Sequence, residues 1–157
     1  MEINDFLELY SGKWFSQRTH YNLAGQEVEN SKAELAVELL HPENPLVKEI
    51  WSDALGALKT SWDNSLDWNQ TKQIGTCLLV FSRDGRLFWK NKSLLEGFYR
   101  LEQNEMLILT AKTENREIEE RIWFASENFR LRTTVVKQVI PQTSFYSEIR
   151  KLPPQEN

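Results

Sequence analysis

The chain has 157 residues, a net charge of −4 and a sequence pI near 5.3, with acidic and basic residues interspersed instead of gathered into a stripe. That balance argues against nucleic-acid binding through phosphate contacts, and no apolar run approaches the length of a membrane span. One cysteine, Cys77, excludes an internal disulfide, and the acidic start Met1-Glu2-Ile3-Asn4-Asp5 lacks the pattern of a signal peptide, so a cytosolic protein is expected.

In chain order, Asn4 precedes Phe6, Leu7 and Leu9 at helical spacing and Gly12 follows as a stop, which predicts a short amphipathic helix over 5–11. A first strand runs from Lys13 to Leu23. Side chains alternate faces in a strand, so Gly12, Trp14, Ser16, Arg18 and His20 share one side, and Phe15, Gln17 and Thr19 share the other. The first side joins a large aromatic to a cation. After a turn at Ala24-Gly25-Gln26, the segment Glu27 to Leu40 contains the alternation Ala33, Leu35, Val37, Leu39, a strand with one wet face.

Asn44 and Pro45 then open a second short helix, Leu46 to Leu55, with apolar residues at Leu46, Val47, Ile50, Trp51 and Ala54. A strand over Ala57 to Trp68 puts Trp62, Asn64, Leu66 and Trp68 on one face, and Asn69 to Lys72 reads as a turn. Seven further strands follow: 73–82, 86–90 after the turn Arg83-Asp84-Gly85, 95–101, 105–112, 117–124, 130–138 and 144–151. Short strands at this spacing with only brief helices predict an all-β fold, a closed antiparallel barrel of about ten strands, since closure removes edges. One domain over 1–152 with a disordered tail at 153–157 is expected.

Candidate chemistry sits in the last third. One face of 117–124 carries Glu120, Ile122 and Phe124. The next strand groups Arg130, Arg132, Thr134 and Val136, and the last groups Ser144, Tyr146, Glu148 and Arg150. Consecutive strands pair, so carboxylates and guanidiniums become neighbours on one wall. Two readings fit. Either this wall is a solvated outer face with surface salt bridges, or the face of Leu131, Thr133 and Val135 packs outside the barrel against a helix and the charged face looks inward. An inward arginine pair would suit carboxylates.

Six tryptophans at this length fill a core or line a pocket for a flat conjugated ligand. Trp51 reads as core of its helix, whereas Trp62 and Trp68 suit either role. His20, His41 and Cys77 make no metal motif, and neither a glycine-rich phosphate loop nor a nucleophile elbow is present. Cys77 reads as a small packed hydrophobe.

The runs Ser11-Gly12-Lys13-Trp14-Phe15-Ser16-Gln17-Arg18-Thr19, Ser61-Trp62 through Asp67-Trp68, Glu119-Glu120-Arg121-Ile122-Trp123-Phe124-Ala125 with Arg130-Leu131-Arg132-Thr133, and Ser144-Phe145 with Ser147-Glu148-Ile149-Arg150 together resemble the S-type (CpcS/CpeS) phycobiliprotein lyases. The resemblance spans nearly the whole chain in order. It implies a lipocalin-like barrel with a helix across one end, binding a free phycobilin and delivering it to a cysteine of a phycobiliprotein subunit as a thioether. The bilin is the substrate, with no further cofactor and no metal.

Carried over by resemblance, Arg18, Arg130, Arg132 and Arg150 would hold the propionates and Trp68 the π system. Glu120 or Glu148 would take the catalytic part, holding the pyrrole N–H groups and keeping the bilin protonated. The acceptor supplies the attacking thiolate, which leaves Cys77 free to be inert. The sequence departs from the family at Val139-Ile140-Pro141-Gln142, Tyr146 and Tyr21. Those departures leave open a helper subunit of a heterodimeric lyase; a homodimer is allowed as well, and the same pocket would serve a non-catalytic carrier of a bilin or another hydrophobic ligand. The resemblance places the protein in a cyanobacterial cytosol or a plastid stroma.

Overall fold

The computed structural model describes residues 1–22, 27–64 and 74–153. The first helix, α1, covers Ile3–Tyr10, and ten strands follow: β1 Gly12–Asn22, β2 Glu27–Leu40, β3 Ala54–Asp63, β4 Ile74–Ser82, β5 Arg86–Lys90, β6 Leu94–Leu101, β7 Leu107–Lys112, β8 Glu117–Ser126, β9 Phe129–Lys137 and β10 Gln142–Arg150. A second helix, α2, spans Pro45–Ile50 between β2 and β3. Each strand pairs antiparallel with its sequence neighbour, and β1 also pairs with β10, so the sheet closes into the expected barrel. Closure leaves no unpaired sheet edge.

The register at the seam fixes the interior. Trp14 faces Arg150, Ser16 faces Glu148 and Arg18 faces Tyr146 across β1 and β10, while Glu148 faces Arg130 and Tyr146 faces Arg132 across β10 and β9. Pairing preserves side-chain parity, so the even-numbered residues of all three strands share the inner face.

Helix α1 plugs one end. It begins nearer the terminus than the Asn4 signal predicts, because the Glu2 amide donates to Asp5 Oδ2 at 3.3 Å and the first turn forms there. Phe6, Leu7 and Tyr10 are buried and join Trp14, Leu58, Phe81, Leu87, Leu107, Leu109 and Ile122 in the main core. The helix stops where Gly12 adopts φ of 123°, a left-handed region that glycine enters without strain. A Cβ there would also lie 2.7 Å from Arg150 Nη1.

The second helix is shorter than its apolar spacing predicts. Asn44 caps it, accepting from the Leu46 amide at 3.0 Å, but Trp51 is already extended and Ala54 starts β3. Ala54 and Ala57 are buried with Leu40, Val47, Val80 and Phe88 in a satellite cluster outside the barrel, so ladder pairing and burial prevail over helical spacing here. Trp51 stacks on Phe88 at 4.9 Å within it.

Helix α2 therefore covers β2 to β5, not β9. The outer residues of β9, Leu131, Thr133 and Val135, are only half-buried, which corrects the expectation that a helix over them turns the charged face inward. That face does point inward, held by buried counter-ions and aromatic rings. The expected turn at 24–26, Trp68, the turn at 69–72 and residues 154–157 lie outside the described residues. No described helix is long and apolar enough to cross a membrane.

Candidate ligand cavity

Above the α1 plug the barrel encloses a cavity of about 390 Å³, within the range of small-molecule sites. Tyr10 lies at its floor. Its walls come from Ser16 and Arg18 of β1, Ala33 and Leu35 of β2, Trp62 of β3, Cys77 and Leu79 of β4, Trp89 of β5, Glu120 of β8, Arg132 of β9 and Tyr146 of β10, with Glu29 and Asn64 further from the plug. Trp62 thus belongs to the cavity wall. A Cβ on its cross-strand partner Gly75 would fall 2.2 Å from the Trp62 ring, so only glycine lets the indole lie flat there.

The floor is a stack of alternating rings and cations. The Arg130 guanidinium lies 3.8 Å from the Tyr10 ring centroid and 4.3 Å from that of Trp14, and Arg150 lies 4.3 Å from Trp14. Arg130 is fully buried, and desolvated contacts of its kind contribute on the order of 2 kcal/mol each. Trp14 Nε1 and Arg130 Nη1 both donate to the Tyr10 carbonyl, at 3.1 and 3.2 Å, and satisfy an orphan acceptor at the helix end. Arg150 does the same for Leu9 and Ser11, donating at 2.6 and 2.8 Å, and reaches the Glu127 carbonyl at 3.2 Å. Neither Arg130 nor Arg150 lines the cavity. Burial, then the neighbouring Arg130, lowers the Arg150 pKa.

A charge network links this floor to the wall. Arg130 Nε meets Glu148 Oε1 at 2.8 Å with neither side chain exposed, and Arg132 Nε lies 3.2 Å from the same oxygen. Arg132 Nη1 donates to Glu120 Oε1 at 3.2 Å. Burial would raise the Glu148 pKa, but Arg132, Arg130 and hydrogen bonds from Arg130 and Ser16 outweigh it and hold the carboxyl below its ordinary value. Burial likewise opposes charge on Arg132, and Glu148 and Glu120 more than reverse this. Glu148 is thus an internal counter-ion beneath the cavity, whereas Glu120 lies on the cavity wall.

Arg18 differs from the other three arginines. It lines the cavity and makes no ion pair among the described residues. Its Nε and Nη2 donate to Ser144 Oγ, both at 3.3 Å, and Nη2 approaches His20 Nδ1 at 3.1 Å. A guanidinium only donates, so His20 Nδ1 accepts and the ring proton sits on Nε2. Ser144, 2.7 Å away, donates to the same nitrogen. Burial, then Arg18, lowers the His20 pKa and favours this neutral form.

Of the residues singled out from sequence, the structure brings Arg18, Glu120 and Arg132 to one cavity and sets Arg130, Glu148 and Arg150 below it. Trp68 lies outside the described residues. Sequence reasoning missed Tyr10, Trp89 and Tyr146 as cavity residues. Parity puts Tyr146 beside Glu148, but only the seam register shows that it stands between Arg18 and Arg132. Cys77 lines the wall, and burial together with Glu120 pushes its thiol up to about 11. Among the described residues no group of three or more His, Cys, Asp or Glu side chains could hold a metal ion.

The sequence model of the family described as CpeS-like protein matches residues 2–151. The chain belongs to the CpeS-like family. This CpeS-like chain is 35% identical to a protein named chromophore lyase CpcS/CpeS 1 from Synechocystis sp., over 99% of its own length and 94% of the relative's. It is 34% identical to chromophore lyase CpcS/CpeS from Thermosynechococcus vestitus, over 96% and 93% of the two chains. A phycocyanobilin lyase subunit CpcS from Picosynechococcus sp. is 27% identical over 87% of this chain and 79% of that one. The barrel of this CpeS-like chain superposes on the S-type phycobiliprotein lyase CPES from Guillardia theta with a TM-score of 0.82 at 21% identity, covering 98% and 95% of the two chains, a likeness of fold.

Proposed function

We propose that this chain is a chromophore lyase that binds a free phycobilin in the barrel cavity and passes it to a cysteine of a phycobiliprotein subunit. The observation that carries the reading is the pairing, in one aromatic-lined cavity, of an arginine without a carboxylate partner among the described residues, Arg18, with a cavity-facing carboxylate, Glu120. A bilin carries propionates, pyrrole N–H groups and an extended π system. Arg18 takes a propionate, Glu120 takes the N–H groups, and Trp62, Trp89, Leu35 and Leu79 cover the π faces. Arg132 holds Glu120 in place, and Arg130, Glu148 and Arg150 build the floor on which this wall stands.

The chemistry needs no nucleophile from this chain. The acceptor's sulfur adds to the ring A ethylidene, and the tetrapyrrole takes up one proton. The lyase contributes positioning and a carboxylate that keeps the bilin protonated, hence electrophilic. The bilin is the substrate on this reading, with no resident cofactor.

Titration with a free bilin, followed by visible absorption, tests the binding half. The expected result is a bound spectrum that shifts and weakens in Glu120→Gln. An unchanged spectrum together with an unchanged transfer rate removes Glu120 from its role, and no absorbance change at all removes the bilin.

A further inference from the structure

Between the two cavity arginines stands an aromatic that the bilin reading leaves without a task. Arg18, Tyr146 and Arg132 are directly opposite one another on β1, β10 and β9, one inward rung across the wall. The Arg132 guanidinium lies 3.9 Å from the Tyr146 ring centroid, and that of Arg18 lies 5.8 Å away. The ring therefore covers Arg132, whose Nη1 and Nη2 already donate to Glu120 and Glu148, and abuts Arg18, which has no carboxylate partner among the described residues. The Tyr146 hydroxyl makes no hydrogen bond among the described residues, and it is not one of the buried atoms without a partner. It lies on the cavity wall with a donor to offer.

We infer that Tyr146 is a specificity-determining residue of the bilin cavity. Its ring keeps Arg132 committed to the internal carboxylates, and its hydroxyl donates to the ligand carboxylate held by Arg18. A carboxylate has two oxygens and spans neighbouring donors, so a cation and a phenol side by side select a tetrapyrrole with a free acid over its ester. The inference rests on the bilin reading and adds to it a second donor and a reason for acid selectivity.

The experiment titrates phycocyanobilin and its dimethyl ester into wild type, Tyr146→Phe and Tyr146→Ala at neutral pH, with circular dichroism as a check on folding. Tyr146→Phe keeps the ring, so the bound spectrum is expected to stay the same while the free acid binds about tenfold more weakly and the ester is unaffected. Tyr146→Ala uncovers Arg132, so Arg132→Met then weakens acid binding further in that background. An acid-to-ester affinity ratio that is the same in wild type and Tyr146→Phe overturns the assignment, as does an equal loss for both ligands. If wild type binds neither form, the bilin reading itself falls; binding of both with no change in Tyr146→Phe removes only the role of this tyrosine.

Discussion

Arg130 and Glu148 meet at 2.8 Å, Nε to Oε1, with neither side chain exposed to solvent. Arg132 shares the same carboxylate oxygen at 3.2 Å. Removing the anion strands a fully buried cation beside a second one. Breaking a buried pair in this way costs about 3 to 5 kcal/mol. Glu148→Ala is therefore expected to lose that much stability in urea unfolding, whereas Arg18→Gln, with no ion pair to break among the described residues, stays within about 1 kcal/mol of wild type.

The same carboxylate sets the acid limit. Its folded pKa lies below the ordinary value of 4.5, because the two arginines outweigh the desolvation that would raise it. A depressed carboxylate contributes stability above its unfolded pKa, and the contribution is lost as pH falls through the folded value. Melting temperature should hold its level above about pH 5 and drop below 4.5, and Glu148→Gln should flatten that acid limb from a lower starting stability.

Arg18 and Arg150 carry the same charge and should respond differently to ligand chemistry. Arg150 serves the carbonyls of Leu9, Ser11 and Glu127, so Arg150→Ala loosens the α1 plug and lowers the melting temperature while leaving the acid-to-ester affinity ratio for a bilin unchanged. Arg18→Gln should do the reverse, reducing free-acid affinity about tenfold or more at nearly constant stability. Paired calorimetry and absorption titrations read both quantities.

Cys77 faces the cavity, yet its thiol is pushed up from 9.0 to about 11 by burial and by Glu120. Thiolate is the reactive form, so alkylation by iodoacetamide at pH 8 should run about 100-fold more slowly than for a thiol at its ordinary pKa. Mass spectrometry reads the rate. Cys77→Ser should leave chromophore transfer intact, because the attacking sulfur belongs to the acceptor.

Strand order and the sharing of faces were legible in the sequence because period-two alternation and turn residues are local signals, whereas they leave open whether the charged face looks inward or out to solvent. Alternation alone thus puts Glu120, Arg130, Arg132 and Glu148 on one face. Depth along the barrel was not legible. Arg130 and Arg132 are two residues apart, yet one lies in the floor and the other on the wall, and that division depends on where α1 ends and how far Tyr10 and Trp14 reach. The outward helix failed for a similar reason: α2 has an apolar face, but β3 begins at Ala54 and carries it over β2 to β5. Trp62 could not be assigned until closure of the barrel placed it among the residues lining the cavity.

Transfer itself separates a lyase from a carrier. The purified protein is mixed with free phycocyanobilin and an apo-phycobiliprotein subunit, and the acceptor is examined after denaturing electrophoresis for zinc-induced fluorescence. Wild type is expected to leave a denaturation-resistant bilin on the acceptor cysteine, formed much more slowly with Glu120→Gln. Bilin that binds the barrel but never becomes covalently attached to the acceptor would contradict the lyase reading and leave a carrier in its place.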